Sequence, residues 1–317
     1  MNYKYRSLIK RLKFDFELSD LIPKGMPFDL KGSEDLEGYP GSVGVGYILK
    51  ECAFHPTEAG AQVVHPYDEL MIFGGTYWDD LLKLGAEISI GIGPETFVIR
   101  ESSVVIIPKG VPHGPCVVRR LEAPLVHILL TNGPRYEGTF STTPAKGGNY
   151  GRLVKRLTTS KSAYEGYVAV SSGTVKIDHR GVMDLTDTGP GEAYQIVQMH
   201  PEDLEGVDIS FSWEFCRTTG VWMSTRYAHV HPEPELLLAL SLKGDDIDDL
   251  GASLEFWFGT EREVYVIDRP SVITIPRPWI PHTPLITQKV DRPFGFMLSC
   301  PGTYTRAAYV ETGFDVL

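Results

Sequence analysis

The chain is poor in several features that mark whole classes of proteins. Only four of its 317 residues are cysteine (Cys52, Cys116, Cys216 and Cys300), and no two of them form a Cys-x-x-Cys pair. Such spacing suits reduced thiols better than a disulfide framework. The longest uncharged apolar runs, such as residues 236–242, fall far short of the roughly 20 residues that a membrane-spanning helix needs. The sequence therefore predicts neither a disulfide scaffold nor a membrane-spanning protein.

Positive charge is also scarce. The 30 Lys and Arg residues are outnumbered by 41 Asp and Glu residues, which gives a formal charge of -11 at pH 7. No stretch concentrates basic residues as a phosphate backbone or an anionic membrane surface requires. We therefore expect a small-molecule substrate, and neither nucleic acid nor a membrane, as the partner. The first 20 residues lack a continuous apolar region and a small-residue cleavage site, so we expect a cytoplasmic protein.

The composition is that of an ordinary globular protein, with 42% hydrophobic and 11% aromatic residues. Short segments rich in Val, Ile, Phe, Tyr and Trp alternate with Gly, Pro and Asp, which is typical of β-strands and turns. Helix is expected only near the start, at about 4–22, and for single turns at 79–84 and 245–250. The sequence thus predicts an all-β protein with a short helical N-terminal segment.

The chain contains an internal repeat. Residues 63–93 align without a gap on 229–259, and residues 113–133 align without a gap on 282–302. The matched pairs include His65 with His231, Glu69 with Glu235, and His113 with His282. Such self-similarity predicts a tandem duplication. The Gly-, Thr- and Pro-rich stretch at 141–151 is typical of a linker, so we predict an N-terminal domain at 1–145 and a C-terminal domain at 146–317.

The second copy carries residues that suit a metal ion. His229 and His231 are two positions apart, so in a strand both imidazoles point to one face, about 7 Å apart along the chain. Glu235 follows after a Pro-containing bend, and His282 comes from a later strand that we expect to pair beside the first. Three imidazoles and one carboxylate suit divalent Fe, Mn, Ni, Co or Zn, and the absence of thiolate argues against a structural zinc.

These motifs resemble those of the cupin superfamily, namely H-x-H-x3,4-E followed later by P-x-G-x2-H. The resemblance covers both repeats, so the chain is similar to a bicupin, with two tandem double-stranded β-helix (jelly-roll) domains. It implies that the metal is Mn(II) or Fe(II), with Zn, Ni and Co as alternatives. It also implies four metal ligands, which are His229, His231, Glu235 and His282.

The second copy departs from the cupin pattern at three places. Met223 and Leu242 stand where the family has glycines, and the segment from Pro276 to His282 is one residue longer than the family spacing. These departures concern the loops more than the ligands. The alternative interpretation is a set of buried structural histidines in a cupin that has lost its metal.

The first copy keeps only part of the ligand set. His65, Glu69 and His113 are present, but Val63 occupies the position of the first histidine. Because two imidazoles and one carboxylate can hold a metal, we predict a second metal site here. The alternative is a degenerate copy that serves packing and dimerisation. His55 or His127 could complete the set, although the complete copy has Phe296 in place of His127.

Residues near the second site are predicted to act on the substrate. The strand parity of His229 also points Tyr227 inward, so Tyr227 is the candidate acid/base, together with the catalytic Glu235. Arg226, Trp257 and Trp279 are candidates for binding an anionic or flat substrate, although single aromatic residues in a β-barrel are more often core.

Three functions fit this reading. The first is redox-neutral cleavage (hydrolase or lyase) or isomerisation of a small enolisable carbonyl compound chelated to the metal, for example a cyclic 1,3-diketone. The second is an Fe(II) dioxygenase that acts on a catechol-like or diketone substrate. The third is a non-catalytic bicupin that binds a small ligand. Since exposed strand edges in duplicated barrels often pair, we expect a homodimer.

Overall fold

A computed structural model describes residues 3–16, 22, 25–55, 61–141, 147–159, 176–177, 179–184, 191–222, 228–276, 280–302 and 308–310. Within these ranges the chain forms 26 β-strands and two short 3₁₀ helices, Arg6–Leu8 and Tyr150–Leu153. The prediction of an all-β protein is confirmed. None of the described helices has the length and apolar character needed to cross a membrane. The four cysteines are all free thiols, as the sequence predicts.

The first barrel consists of two sheets built from twelve strands. These are β2 (Phe28–Lys31), β3 (Ser42–Ile48), β4 (Cys52–Phe54), β5 (Gln62–Val64), β6 (Glu69–Gly75), β7 (Lys83–Ile92), β8 (Glu95–Glu101), β9 (Ser103–Ile107), β10 (His113–Arg119), β11 (Leu125–Thr131), β12 (Thr139–Ser141) and β13 (Val154–Arg156). One sheet has the order β13-β9-β6-β11-β3-β2. The other has the order β12-β5-β10-β7-β8, and β4 also pairs with β10.

The second barrel repeats this plan. Its strands are β14 (Lys176–Ile177), β15 (Met183–Asp184), β16 (Ala193–Met199), β17 (Ile209–Cys216), β18 (Gly220–Val221), β19 (His229–Val230), β20 (Glu235–Ser241), β21 (Ala252–Phe258), β22 (Glu263–Ile267), β23 (Ser271–Ile275), β24 (His282–Val290), β25 (Phe294–Pro301) and β26 (Ala308–Tyr309). With β1 (Ile9–Arg11), one sheet runs β1-β23-β20-β25-β17-β16-β15-β14. The other runs β22-β21-β24-β19-β26, with β18 beside β24.

Two short strands lie across the predicted domain boundary. β1, near the N-terminus, pairs with β23 of the second barrel, and β13, after the linker, pairs with β9 of the first barrel. The domain boundary between residues 145 and 146 stays a prediction. Strands β1 and β13 each join a sheet of the other repeat. Each strand satisfies backbone groups that the edge of its adopted sheet would otherwise leave open.

The prediction of an N-terminal helix is wrong for the described residues. Only Arg6–Leu8 form a 3₁₀ turn, and the chain then continues as β1 because pairing with β23 competes successfully with weak local helix preference. Residues 17–21 of that segment lie outside the described residues. The helical turns expected at 79–84 and 245–250 are also wrong, because both segments form only turns and extended chain.

Alternation along β20 decides which side chains face the second site. Leu236, Leu238 and Leu240 belong to a core shared with the first barrel. Leu237 and Ala239 belong instead to the separate core of the second barrel. Since side chains alternate across a strand, Glu235 shares the inner face with Leu237 and Ala239. The fold therefore points Glu235 into the second barrel.

Candidate metal centres

The four ligands predicted in the second copy converge at the ends of three strands. His229 begins β19 and is the cross-strand partner of His282, the first residue of β24, while Glu235 is the first residue of β20. The ring nitrogens of His229, His231 and His282 lie within 4.8 Å of one another. One oxygen of Glu235, Oε2, is 3.3 Å from Nε2 of both His231 and His282.

Hydrogen bonds orient the three imidazoles toward a common point. Nδ1 of His231 donates to the carbonyl of Glu233 at 2.8 Å, and Nδ1 of His282 donates to the carbonyl of Ile280 at 3.0 Å. A carbonyl can only accept, so each neutral ring carries its proton on Nδ1 and turns the lone pair of Nε2 into the cluster. Nδ1 of His229 hydrogen-bonds with the hydroxyl of Thr283 at 3.2 Å. Such partners fix the rings of metal-ligating histidines.

Buried polar atoms in this cluster lack a well-aligned hydrogen-bond partner. Nε2 of His231 and Nε2 of His282 are fully buried, and although Oε2 of Glu235 is 3.3 Å from each, neither makes a hydrogen bond of good geometry within the described part of the chain. Burying an unpaired polar atom is costly, so such atoms are rare without a bound ion or water. A divalent cation would satisfy both lone pairs and the adjacent carboxylate. The residues present fit a divalent metal, as the sequence predicts, and the assignment of His229, His231, Glu235 and His282 as its ligands stays a prediction.

The carboxylate and the imidazoles control each other's ionisation. Burial raises the pKa of Glu235, but His231 and His282 lower it by more, so the pKa of this carboxyl lies well below its usual range. Burial lowers the pKa of His231, but Glu235 outweighs this effect and the net direction is upward. Glu235 is therefore a carboxylate at any physiological pH, as a metal ligand must be.

The three residues retained in the first copy form an equally compact cluster. Oε2 of Glu69 is 3.4 Å from Nε2 of His65 and 3.1 Å from Nε2 of His113, and the three side chains are completely buried. Nδ1 of His65 donates to the carbonyl of Glu137 at 2.5 Å, and Nδ1 of His113 donates to that of Val111 at 3.1 Å. Both carboxylate oxygens and both Nε2 atoms lack a hydrogen-bond partner among the described residues.

The first cluster lacks one ligand together with the residue that would orient it. Val63 is the cross-strand partner of His113, as His229 is of His282. Gly114 follows His113 where Thr283 follows His282, so the hydroxyl that contacts His229 is also missing from the first copy.

The Glu69 carboxyl resembles its counterpart in the second barrel. Burial raises its pKa, yet the neighbouring rings of His113 and His65 outweigh this and hold the pKa of Glu69 at about 2. The first cluster can hold a cation with three ligands, and whether it does so stays a prediction.

Other predicted site residues lie elsewhere. Trp257 is on the face of β21 opposite Phe256 and Phe258, which pack in the barrel core, so the structure does not bring it to the cluster. Its role in substrate binding stays a prediction. The predicted roles of Tyr227, Arg226 and Trp279 fall on residues outside the described part of the chain.

The two other histidines considered for the first site are packed inside the first barrel. Both are fully buried, and the ring of His127 stacks on Phe73 with centroids 4.6 Å apart. His55 approaches His127, with the two Nε2 atoms 3.2 Å apart. Neither belongs to the cluster of His65, Glu69 and His113.

The sequence analysis missed an acidic residue inside the second barrel. Glu214 on β17 is the cross-strand partner of Phe296, which in turn pairs with Ala239, so the three form one row on the inner face. The hydroxyl of Ser212 donates to its carboxyl at 2.6 Å. Burial raises the pKa of Glu214 to about 8, and the charges of Glu192 and Glu235 contribute. An acidic residue within the otherwise uncharged strand 209–216 was the available signal.

Among known proteins, matches to this chain are found only among solved structures. No protein-family profile and no curated protein sequence matches the chain. A deletion mutant of Bacillus subtilis oxalate decarboxylase superposes with a TM-score of 0.56 at 12% identity, covering 95% of this chain and 79% of that one. The chain has a bicupin fold. The prediction of two tandem cupin domains is thereby confirmed.

Two further structures of the same enzyme agree. One, from a study of its Mn(II) centres, has 12% identity, 95% and 80% coverage and a TM-score of 0.56. The other, from a study of its substrate-binding mode, has 13% identity, 95% and 80% coverage and a TM-score of 0.54. At such low identity the likeness is one of fold.

Proposed function

We propose that the second-barrel cluster is the active site of a metal-dependent enzyme that cleaves or isomerises a small enolisable carbonyl compound without net oxidation, such as a cyclic 1,3-diketone. The observation that carries the proposal is the convergence of two orphaned Nε2 atoms and a buried carboxylate on one point. A divalent metal held there supplies a Lewis acid that stabilises an enolate or oxyanion. The manganese centres named for the structural neighbour make Mn(II) the first metal to test, with Fe(II) second.

The residues of this bicupin have separable roles in the proposed reaction. The three histidines and Glu235 hold the metal. Leu237, Ala239 and Phe296 form an apolar inner wall that excludes water from the reacting atoms. Glu214 keeps its proton at neutral pH, because its pKa is about 8, and is a proton source inside the same barrel.

Several assignments rest on the sequence alone and belong to the proposal. Tyr227 is the second acid/base, and Arg226 and Trp279 contact the substrate, whereas Trp257, on the face of β21 away from the cluster, stays a prediction from the sequence. The homodimer and the cytoplasmic location also stay predictions.

The test is a substrate screen with controlled oxygen. The chain is reconstituted anaerobically with Mn(II) or Fe(II) and assayed on cyclic 1,3-diketones, oxalate and catechols. Oxalate is included because the structural neighbours are named oxalate decarboxylases. Turnover without oxygen that is lost in His231→Ala supports the proposal. Turnover only with Fe(II) and oxygen replaces it by a dioxygenase. Ligand binding that survives His229→Ala without turnover replaces it by a binding protein.

A further inference from the structure

A hydrogen-bonded chain of three aromatic side chains lies inside the first barrel and has no part in the proposed reaction. Nδ1 of His127 is 3.1 Å from the carbonyl oxygen of Ile72. Nε2 of His127 is 3.2 Å from Nε2 of His55, and Nδ1 of His55 is 3.2 Å from the hydroxyl of Tyr136. His55 and His127 are completely buried.

The direction of this chain is fixed at the Ile72 end. A carbonyl accepts only, so Nδ1 of His127 carries the proton. Burial lowers the pKa of His127 to about 4, and burial together with His127 lowers that of His55 well below its ordinary value, so each ring holds one proton. Nε2 of His127 must then accept from Nε2 of His55. Nδ1 of His55 must accept from the hydroxyl of Tyr136.

Tyr136 lies against the cluster of His65, Glu69 and His113. Its ring centroid is 5.1 Å from that of His65. Burial raises the pKa of Tyr136, and the nearby Glu69 carboxylate raises it further. The Tyr136 hydroxyl is within hydrogen-bonding reach of both His55 and the Glu69 carboxylate. When its proton points to His55, its lone pairs face Glu69, whose two oxygens meet no well-aligned hydrogen-bond donor among the described residues. A cation bound between the two oxygens would then satisfy both.

Tyr136 also lies near the position of the histidine that the first copy lacks at Val63. Tyr136 lies in the connection between β11 and β12, and β12 pairs with β5, where Phe140 is the cross-strand partner of Val63. This connection therefore runs beside the strand whose histidine is absent in the first copy.

We infer that the oxygen of Tyr136 is the fourth donor of a metal centre in the first barrel, in place of the histidine missing at Val63, and that His55 and His127 hold its hydroxyl in the donating orientation. The centre then contains two imidazoles, one carboxylate and one tyrosine oxygen, a harder donor set than that of the second barrel. The inference goes beyond the proposed function and does not depend on the reaction in the second barrel.

The chain offers a matched control in Tyr67. Its ring also packs on His65, with centroids 5.2 Å apart, but its hydroxyl donates to the carbonyl of Glu137 at 2.8 Å. Tyr67→Phe removes a hydroxyl next to the same histidine without removing a proposed donor.

The experiment measures Mn(II) binding by equilibrium dialysis in the full-length His231→Ala/His282→Ala chain, whose second cluster keeps only one imidazole and one carboxylate. We expect one site whose affinity falls about 10- to 100-fold in Tyr136→Phe, the range seen when groups around a metal site are removed, and falls clearly less in Tyr67→Phe, whose hydroxyl hydrogen-bonds with the backbone of Glu137. Equal affinities in the two Phe variants, or no Mn(II) bound by a natively folded His231→Ala/His282→Ala chain, would overturn the inference. In the wild-type chain the same comparison is made on the second of two binding events.

A spectroscopic measurement distinguishes the loss of a tyrosine ligand from the misfolding of a variant. Loading the His231→Ala/His282→Ala chain with Fe(III) should give a visible Fe(III)–phenolate charge-transfer band if the Tyr136 oxygen is a ligand. The band should persist in Tyr67→Phe and vanish in Tyr136→Phe. A chain that binds Fe(III) without this band contradicts the inference.

Discussion

Glu214 should make the protein lose stability as the pH rises, and Glu214→Gln should remove this loss. Below its ordinary pKa of 4.5, the carboxyl is protonated in the folded and the unfolded chain alike. Between that value and the folded pKa of about 8, the unfolded chain releases the proton while the folded chain keeps it. Stability therefore falls by about 1.4 kcal/mol per pH unit over this window, or by about 2 to 3 kcal/mol between about pH 5 and 7.

Urea unfolding of the chelator-treated protein at several pH values measures this effect. The free energy of unfolding of the wild type should fall as the pH rises, and that of Glu214→Gln should fall less. The difference between the variant and the wild type should therefore increase with pH. Glu101→Gln, at an exposed carboxylate whose side chain is 56% accessible, is the control and should show no such trend. A difference between Glu214→Gln and wild type that is independent of pH, or that shrinks as the pH rises, would refute the reasoning.

Three further predictions concern the metal centres. Thr283→Ala should weaken metal binding in the second barrel about 10-fold by freeing the ring of His229, whereas Thr283→Ser should not, and a metal titration of both variants checks this. Val63→His should strengthen Mn(II) binding in the first barrel, because it restores the imidazole opposite His113; an unchanged affinity in a folded variant would count against the equivalence of the two clusters. Lowering the pH below about 6 should release metal from both centres as their imidazoles take up protons, which elemental analysis after dialysis measures, and full retention at pH 5 would contradict imidazole ligation.

The candidate metal ligands were predictable because their signal is local. The two-residue spacing of His229 and His231, the bend before Glu235 and the repetition of the pattern in the first copy all stand in the sequence itself. The strand pairing of His229 with His282 follows from the same pattern.

Residues outside the motifs were not predictable, because their roles depend on which strands pair. Glu214 enters the second barrel only through its register with Phe296, and Tyr136 reaches the first cluster only through the connection that leads into β12. The helix prediction for the N-terminal segment was wrong for a related reason. The pairing of Ile9 with Ile273 is a tertiary contact that no local sequence pattern encodes.

The most direct test of the central claim is the metal content of the full-length chain, purified without oxygen or chelator and then reconstituted with Mn(II) or Fe(II). The two buried clusters predict about two transition-metal ions per chain in the wild type and about one in the His231→Ala/His282→Ala chain. A wild-type chain that holds no transition metal even after reconstitution would contradict the account.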